Sequence, residues 1–321
     1  MRIALAVTRI VAAALLCAFA LAAHAEYPDH AVKAIVPFPA GGGTDVFARV
    51  AAQQLAQQLG QPVVVENKGG ADGNIGMDNA AKSAPDGYTI LFNSSAATVN
   101  PVMYRNLRFD PEHDLKPVAI LCEYYNLIVV NPEKMPVKTL AEFVDLLRRN
   151  PGKYNFAANG ARLGIELFKM QANVDVTVVP YRGASDAITG LLRGESDFMI
   201  VNAPGLTQHI ASGKLRAIAV TAPQRQPDFP DVPTTREAGM PDYTYSSFFA
   251  AYVPAATPVD VVRKLNGALN AVTSKPEVVA QFRANGATAV QSTPEAAVQR
   301  YLGDIARYRD IVVRAKIPPV D

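Results

Sequence analysis

Between Val46 and Gly60 the apolar residues fall at 46, 47, 50, 51, 55 and 59, the three-and-four spacing of one helical face. The pattern predicts a helix ended by Gly60 at its C′ position and capped by Thr44 or Asp45. Upstream, Ile35 and Val36 end a short apolar run that reads as a buried strand, and Pro62 to Asn67 repeats the signal downstream. A glycine-rich turn from Lys68 to Gly76 leads to a short helix over Met77 to Lys82. Pro85-Asp86-Gly87 closes that helix, and Tyr88 to Phe92 is the next strand. Strands alternating with helices in this way predict a parallel sheet with helices on both faces.

The same grammar returns in mid-chain. After a polar, turn-rich connection from Phe109 to Pro117, Val118 to Leu121 and Leu127 to Val130 read as two short strands. Glu123-Tyr124-Tyr125-Asn126 between them is the expected crossing from one lobe to another. Thr139-Leu140-Ala141-Glu142 is a capping box that opens a helix running to Arg149. The strand Asn155 to Ala158 turns through Asn159-Gly160-Ala161-Arg162 into a helix over Leu163 to Gln171. A strand over Thr177 to Val179 turns through Pro180-Tyr181-Arg182-Gly183-Ala184 into a helix over Ser185 to Arg193. Asp197 to Val201 and Leu215 to Val220 complete a second α/β set. Pro223 to Pro241 reads as an exposed connection and Tyr245 to Val253 as a strand returning to the first lobe. The rest, from Pro258, is helical and ends in Glu295 to Arg314.

Composition changes the picture at the N-terminus. Arg2 and Arg9 precede the apolar run Ile10 to Ala23, and Ala23-His24-Ala25 fits an A-x-A cleavage site. The run is too short for a bilayer span, which takes roughly 18 apolar residues. Residues 1–25 are therefore expected to be a signal peptide cleaved after Ala25, with the mature chain in the periplasm. Leu16 before Cys17 argues against a lipid-attachment site. Removing Arg2 and Arg9 from 31 basic residues leaves 29 against 29 acidic ones, too neutral for a nucleic-acid partner or a polybasic membrane surface. Cys122 becomes the only cysteine, and His30, His113 and His209 stand in no ligand spacing. Neither a metal nor any other cofactor is expected.

The chemistry-bearing stretch is Phe38 to Asp45, where three glycines run into a helix start. Glycine lets backbone approach a ligand closely, and a helix start offers unpaired N–H groups with a partial positive charge. Both favour a small anion, above all a carboxylate or phosphate, while a tight ligand-free turn is the plainer alternative. No Lys-Ser/Thr follows the glycines and the spacing is not G-x-G-x-x-G, so nucleotide binding is not expected. Ligands of open α/β sheets sit beyond the carboxyl ends of the strands, where this loop and Asn93-Ser94-Ser95-Ala96 would converge.

Six segments, in order, resemble the substrate-binding proteins of tripartite tricarboxylate transporters, the TctC or Bug family. They are Val36 to Asp45, Gly60 to Asn67, Gly73-Asn74-Ile75-Gly76, Ala84 to Tyr88, Val179-Pro180-Tyr181-Arg182-Gly183 and Asp231-Val232-Pro233-Thr234. The resemblance implies an α/β, two-lobed periplasmic-binding-protein fold of the Venus-flytrap, type II kind, with the ligand cleft between the lobes. Residues 26–123 and 247–321 would form lobe 1, and 124–246 lobe 2. The implied ligand set is Phe38, Ala40, Gly41, Gly42, Thr44 and Asp45 with Ser94, Ser95 and Ala96 on one side. Asn159, Gly160, Arg162, Tyr181, Gly183, Ala184, Asn202 and Phe248 complete it, with no catalytic or metal-binding residue.

Two departures from the family pattern matter. The loop after Ala158 is shorter than usual and carries Arg162 in place of a Ser-His-Leu ending, and the usual Asp-Asn appears as Val201-Asn202. A less acidic pocket disfavours a ligand amino group. Arg162 either pairs with a distal carboxylate or is a solvated arginine on a helix's first turn. Phe38, Phe248 and Tyr181 are candidate apolar walls, or simply core. The expected partner is a small organic acid (a di- or tricarboxylate or an aromatic carboxylate) delivered by a monomer to the permease subunits of a tripartite transporter. An orphan receptor feeding a membrane sensor protein is the alternative. An exported α/β enzyme is disfavoured because no G-x-S-x-G surrounds Ser94 and Ser95 and no histidine lies in a glycine loop.

Overall fold

The computed structural model describes residues 27–158, 162–181, 184–202, 206–243 and 245–319. The first third alternates strand and helix: β1 (Val32–Val36), α1 (Gly43–Leu59), β2 (Val63–Asn67), α2 (Asn74–Ala81), β3 (Thr89–Ser94) and α3 (Ala96–Met103). β4 (Leu115–Val130) and α4 (Leu140–Arg149) lead to β5 (Asn155–Ala158), α5 (Arg162–Ala172), β6 (Thr177–Pro180) and α6 (Ala184–Leu192). β7 (Phe198–Asn202), α7 (Thr207–Ala211) and β8 (Arg216–Val220) follow. The chain ends in β9 (Ser246–Pro254), α8 (Val259–Thr273), α9 (Pro276–Ala284), β10 (Thr288–Ala289) and α10 (Pro294–Arg314). Among the described residues, no helix is long and apolar enough to cross a membrane.

The strands run in the order β2-β1-β3-β9-β4-β7-β5-β6, with β8 and β10 also paired to β4. β4 organises the sheet. From Leu115 to Tyr125 it pairs antiparallel with β9, and from Asn126 to Val130 with β7. The partner changes between Tyr125, opposite Ser246, and Asn126, opposite Asn202. The two short strands expected from sequence are thus one strand of 16 residues, and Glu123 to Asn126 lies inside it. The polar side chains there suggested a break, but the backbone stays extended because each residue finds a ladder partner on β9 or β7.

Each half of the sheet is buried on both faces. In the first, Val32, Ala34, Val36, Ile90 and Phe92 point to α1, α8 and α9, while Ile35 and Leu91 point to α2, α3 and α10. In the second, Ile128, Val130 and Phe156 pack with Phe143 and Leu147 of α4 and Phe168 of α5, while Leu127, Val129 and Ala157 pack with Ala187 and Leu191 of α6. This alternation along doubly covered strands is why both motifs read as near-continuous apolar runs.

α3 is a helix that the sequence hid, because Pro101 lies inside it and Ser, Thr and Asn crowd its start. The capping box at α4 forms: Thr139 Oγ1 accepts the Glu142 N–H at 3.2 Å, and Glu142 Oε2 accepts the Lys138 N–H at 2.7 Å.

Candidate functional site

Sheet register sets the site. β1 and β3 are adjacent and parallel, with Ile35 opposite Leu91, so the loops after Val36 and Ser94 open at one sheet end. β5 is parallel to both β6 and β7, so these strands end at Ala158, Pro180 and Asn202 on the same side of the sheet. Ser94 lies opposite Phe249 of β9, which lies opposite Cys122 of β4, and Asn202 lies opposite Asn126 of β4. The ends of β3 and β7 therefore lie level with the stretch of β4 where the sheet changes partner.

The first loop is built around a buried carboxylate. Helix α1 starts at Gly43 with Gly42 as its N-cap, and no side chain caps it. The expected cap by Thr44 or Asp45 is thus corrected. Thr44 is already helical, and Asp45, in the first turn, folds back beneath the loop. Asp45 Oδ2 accepts the Gly41 N–H and Arg49 Nε, each at 2.8 Å. Its Oδ1 accepts Asn67 Nδ2 at 2.8 Å, and that nitrogen also donates to the Phe38 carbonyl at 3.0 Å. Arg49 Nη2 closes the network on Asn67 Oδ1 at 3.0 Å. Burial by itself would raise the Asp45 pKa, but the hydrogen bonds from Arg49, Gly41 and Asn67 and the Arg49 charge hold it below its ordinary value. The carboxylate is thus committed to shaping the loop. The first-turn amides from Gly43, which helix geometry leaves without intrahelical acceptors, follow the exposed Gly41 and Gly42, whose own N–H groups go to Asp45 Oδ2 and the Pro39 carbonyl. Gly41 has φ +82°, a conformation that keeps the position glycine.

A second layer went unread in the sequence: the turn Lys68 to Gly76 braces the first loop. A Cβ on Gly76 would lie 2.7 Å from Pro37 Cβ and 2.8 Å from the Lys68 carbonyl, so the turn nests against Pro37 only because residue 76 has no side chain. α3 holds the turn from behind. Asn100 Nδ2 donates to the Asp72 carbonyl at 2.9 Å and to Asn74 Oδ1 at 2.8 Å. The Tyr104 hydroxyl donates to Asp72 Oδ2 at 2.6 Å, a bond that, with burial, pushes its pKa up to about 12. Four glycines within nine residues was the available signal.

Ser94, Ser95 and Ala96 sit half-buried at the β3–α3 junction. Asn93 Oδ1 accepts the Ser94 N–H at 2.8 Å, and Ser94 Oγ accepts the Ala96 N–H at 3.3 Å. Asn93, the first residue of the stretch expected to converge with the glycine loop, is fully buried, and its Nδ2 is among the buried side-chain atoms with no hydrogen-bond partner within the described residues.

On the second side, Asn159, Gly160 and Gly183 lie outside the described residues, and Arg162 and Ala184 are the first residues of α5 and α6. Tyr181 and Phe248 are not placed as apolar walls. The Tyr181 hydroxyl is 3.0 Å from Ser196 Oγ, and its ring lies over Gly190. Phe248 is 1% exposed, because its position on β9 turns the ring into the core with Ile35, Leu91 and Tyr252. Phe38 remains half-buried, its ring tip against Gly73. Asn202 is half-buried at the end of β7. Beside it, Asn126 donates its backbone N–H to Thr221 Oγ1 at 2.9 Å and its Nδ2 to the Tyr245 carbonyl at 3.2 Å.

A cavity of about 380 Å³, lined by Tyr125, Leu127, Phe229, Arg283 and Ala289 among others, borders both halves of the sheet but includes none of the glycine-loop residues. Among the described residues, no group of three His, Cys, Asp or Glu gathers closely enough to hold a metal.

The family model of the tripartite tricarboxylate transporter family receptor (TctC) matches residues 47–316. Protein BugT of Bordetella pertussis is 38% identical over 292 residues, covering 89% of each chain. The solved structure of R. palustris Rpa4515 with adipate superposes with a TM-score of 0.76 at 31% identity, covering 92% of this chain and all of that one. MatC from Rhodopseudomonas palustris with bound malate superposes with a TM-score of 0.72 at 30% identity, covering 89% of this chain and all of that one.

Proposed function

From the premise that the chain belongs to the tripartite tricarboxylate transporter receptor (TctC) family, a family of solute-binding proteins, we propose that it captures a small aliphatic dicarboxylate and hands it to the permease subunits of such a transporter. One observation carries this reading: an uncapped, glycine-led helix start follows β1, beside β3, whose end lies level with the partner change on β4. Amides there would hold one carboxylate without a counter-charge, as helix starts do for anions. Adipate and malate in the two related structures support a ligand with two carboxylates. Burial of Phe248 and the inward turn of Tyr181 remove the argument for an aromatic one.

In this reading residues 26–123 with 247–321, and 124–246, are two lobes that close over the ligand. The first holds one carboxylate through Ala40, Gly41, Gly42 and Thr44, with Ser94, Ser95 and Ala96 beside it. The second holds the other through Arg162 and the loops containing Asn159, Gly160, Gly183, Ala184 and Asn202. Asp45 acts through the loop it shapes. Closure follows from the ligand's differential contacts with the closed state. The mature chain begins after Ala25 and works in the periplasm.

Thermal unfolding of the mature protein against adipate, malate, succinate, benzoate and amino acids tests the proposal. A ligand at about 100 times its dissociation constant adds about 2.7 kcal/mol, a rise of several degrees. Shifts confined to dicarboxylates support the reading. A flat panel, repeated after unfolding and refolding to strip co-purified ligand, overturns it.

A further inference from the structure

Besides β4, the chain from Tyr245 into β9 and the helix α10 also bridge the two halves of the sheet. α10 does so by packing: Ala297, Tyr301 and Ile305 belong to the first half's core, Tyr308 and Ile311 to the second's with Phe168 and Tyr243. All three bridging elements meet at one guanidinium. Arg300 on α10 donates from Nη1 to Glu123 Oε1 at 2.7 Å, from Nη2 to Ser246 Oγ at 2.8 Å and from Nε to Asp304 Oδ2 at 2.8 Å. Glu123 also accepts the Tyr125 hydroxyl through its other oxygen, and the Arg300 guanidinium lies 5.5 Å from the Phe248 ring centroid. Glu123 and Asp304 are 16% and 7% exposed, so Arg300 pairs with two mostly buried carboxylates, and Asp304 is shared with Arg307 Nη2 at 3.1 Å.

On the other side of the crossing a second network is neutral. Asn126 and Thr221 both hold the Tyr245 carbonyl, with Thr221 Oγ1 at 2.5 Å. The two networks face each other across Tyr125–Asn126 in β4 and Tyr245–Ser246 leading into β9, the points where ladder pairing changes hands.

Resting on the two-lobed capture reading, we propose that Arg300 is the positioning residue of the hinge. It fixes α10 and both crossing strands to the first half, and lobe closure turns on the bonds between Tyr125 and Asn126 and between Tyr245 and Ser246. Arg300 touches no ligand. It limits how far the ligand-free protein opens, and so sets the fraction poised to close. A planar fork spanning three elements does this, whereas lysine offers one point charge.

The test is the interlobe distance distribution of the ligand-free mature protein. Spin labels at Gln53→Cys on α1 and Ala141→Cys on α4 report it, since the native Cys122 is fully buried. Arg300→Lys and Glu123→Gln should each broaden the distribution and move it to longer distance, and adipate should close the variants at about ten-fold higher concentration than the parent. Arg300→Gln should do so more strongly; if it does not fold, the two milder variants decide. Lower thermal stability with an unchanged distribution would reduce Arg300 to a structural role and overturn the proposal. Because that measurement uses no ligand, it stands even if adipate proves not to bind.

Discussion

Asn67, the last residue of β2, reaches 22 positions back to Asp45 of α1, donating at 2.8 Å to its carboxylate, and the same nitrogen is 3.0 Å from the Phe38 carbonyl. One side chain thus ties a strand end, a helix start and the loop between them. Asn67→Ala leaves Asp45 Oδ1 and the Phe38 carbonyl without this donor. A buried acceptor left unpaired costs about 1–3 kcal/mol, so the midpoint of thermal unfolding should fall by several degrees. Ligand affinity should fall too, because the exposed amides lose their template. Calorimetry with and without adipate measures both.

Asp45 also carries a pH signature. A carboxyl held below its ordinary value in the folded chain takes up its proton more readily when unfolded. Its contribution is therefore fully present above the unfolded value of about 3.9 and is lost as pH falls through the lower folded value. Urea midpoints measured from about pH 6 down to pH 3 should fall for the parent over the acid end of that range. Asp45→Asn should be less stable at neutral pH and show a shallower acid-side fall. Parallel curves would mean that the network does not hold the carboxylate charged.

How much of this was legible in sequence depended on the range of the interactions. Val46 to Gly60 announced α1 because helical periodicity is local, and Thr139 with Glu142 announced a cap because both partners lie within one turn. The cap of α1 was misread because Asp45 bonds to Asn67, a partner no local rule supplies. α3 was lost because Pro101, the sixth of its eight residues, reads as a break, although there it removes a single ladder hydrogen bond. Phe248 looked like a ligand wall until β9 found its place between β3 and β4 and turned that ring inward. That the turns after β1 and β3 leave the same end of the sheet was legible from the alternation of strand and helix, whereas the bracing by Lys68 to Gly76 required tertiary contacts.

Two glycine substitutions separate packing from recognition. Gly76→Ala drives a methyl group against Pro37 and the Lys68 carbonyl, where nothing nearby can yield cheaply. Overpacking of that kind costs about 1–3 kcal/mol, and unfolding should move several degrees lower. Gly43→Ala meets nothing within 4 Å and stands at a helix's first residue, so stability should hold or rise slightly. The added methyl would nevertheless crowd the amides, and adipate affinity should fall about ten-fold. Equal affinity in Gly43→Ala would place the bound carboxylate elsewhere.

Arg162 offers the sharpest test of ligand class. It opens α5 directly after the loop that leaves β5, at the end of the sheet where β5, β6 and β7 point their carboxyl termini. If its guanidinium takes the second carboxylate of the ligand, the bond is charge-assisted and worth about 1.5–3 kcal/mol. Arg162→Gln should then weaken adipate and malate by about 10- to 100-fold. A monocarboxylate such as butyrate, which has no second group for Arg162 to hold, should bind parent and variant alike. Arg162→Lys keeps the charge without the planar fork and should fall between the two. Isothermal titration of the three proteins with adipate and butyrate gives the comparison. An equal loss for both acids would assign Arg162 to the shape of the loop, and no loss for either would make it a solvated helix-start arginine and return the dicarboxylate preference to other residues.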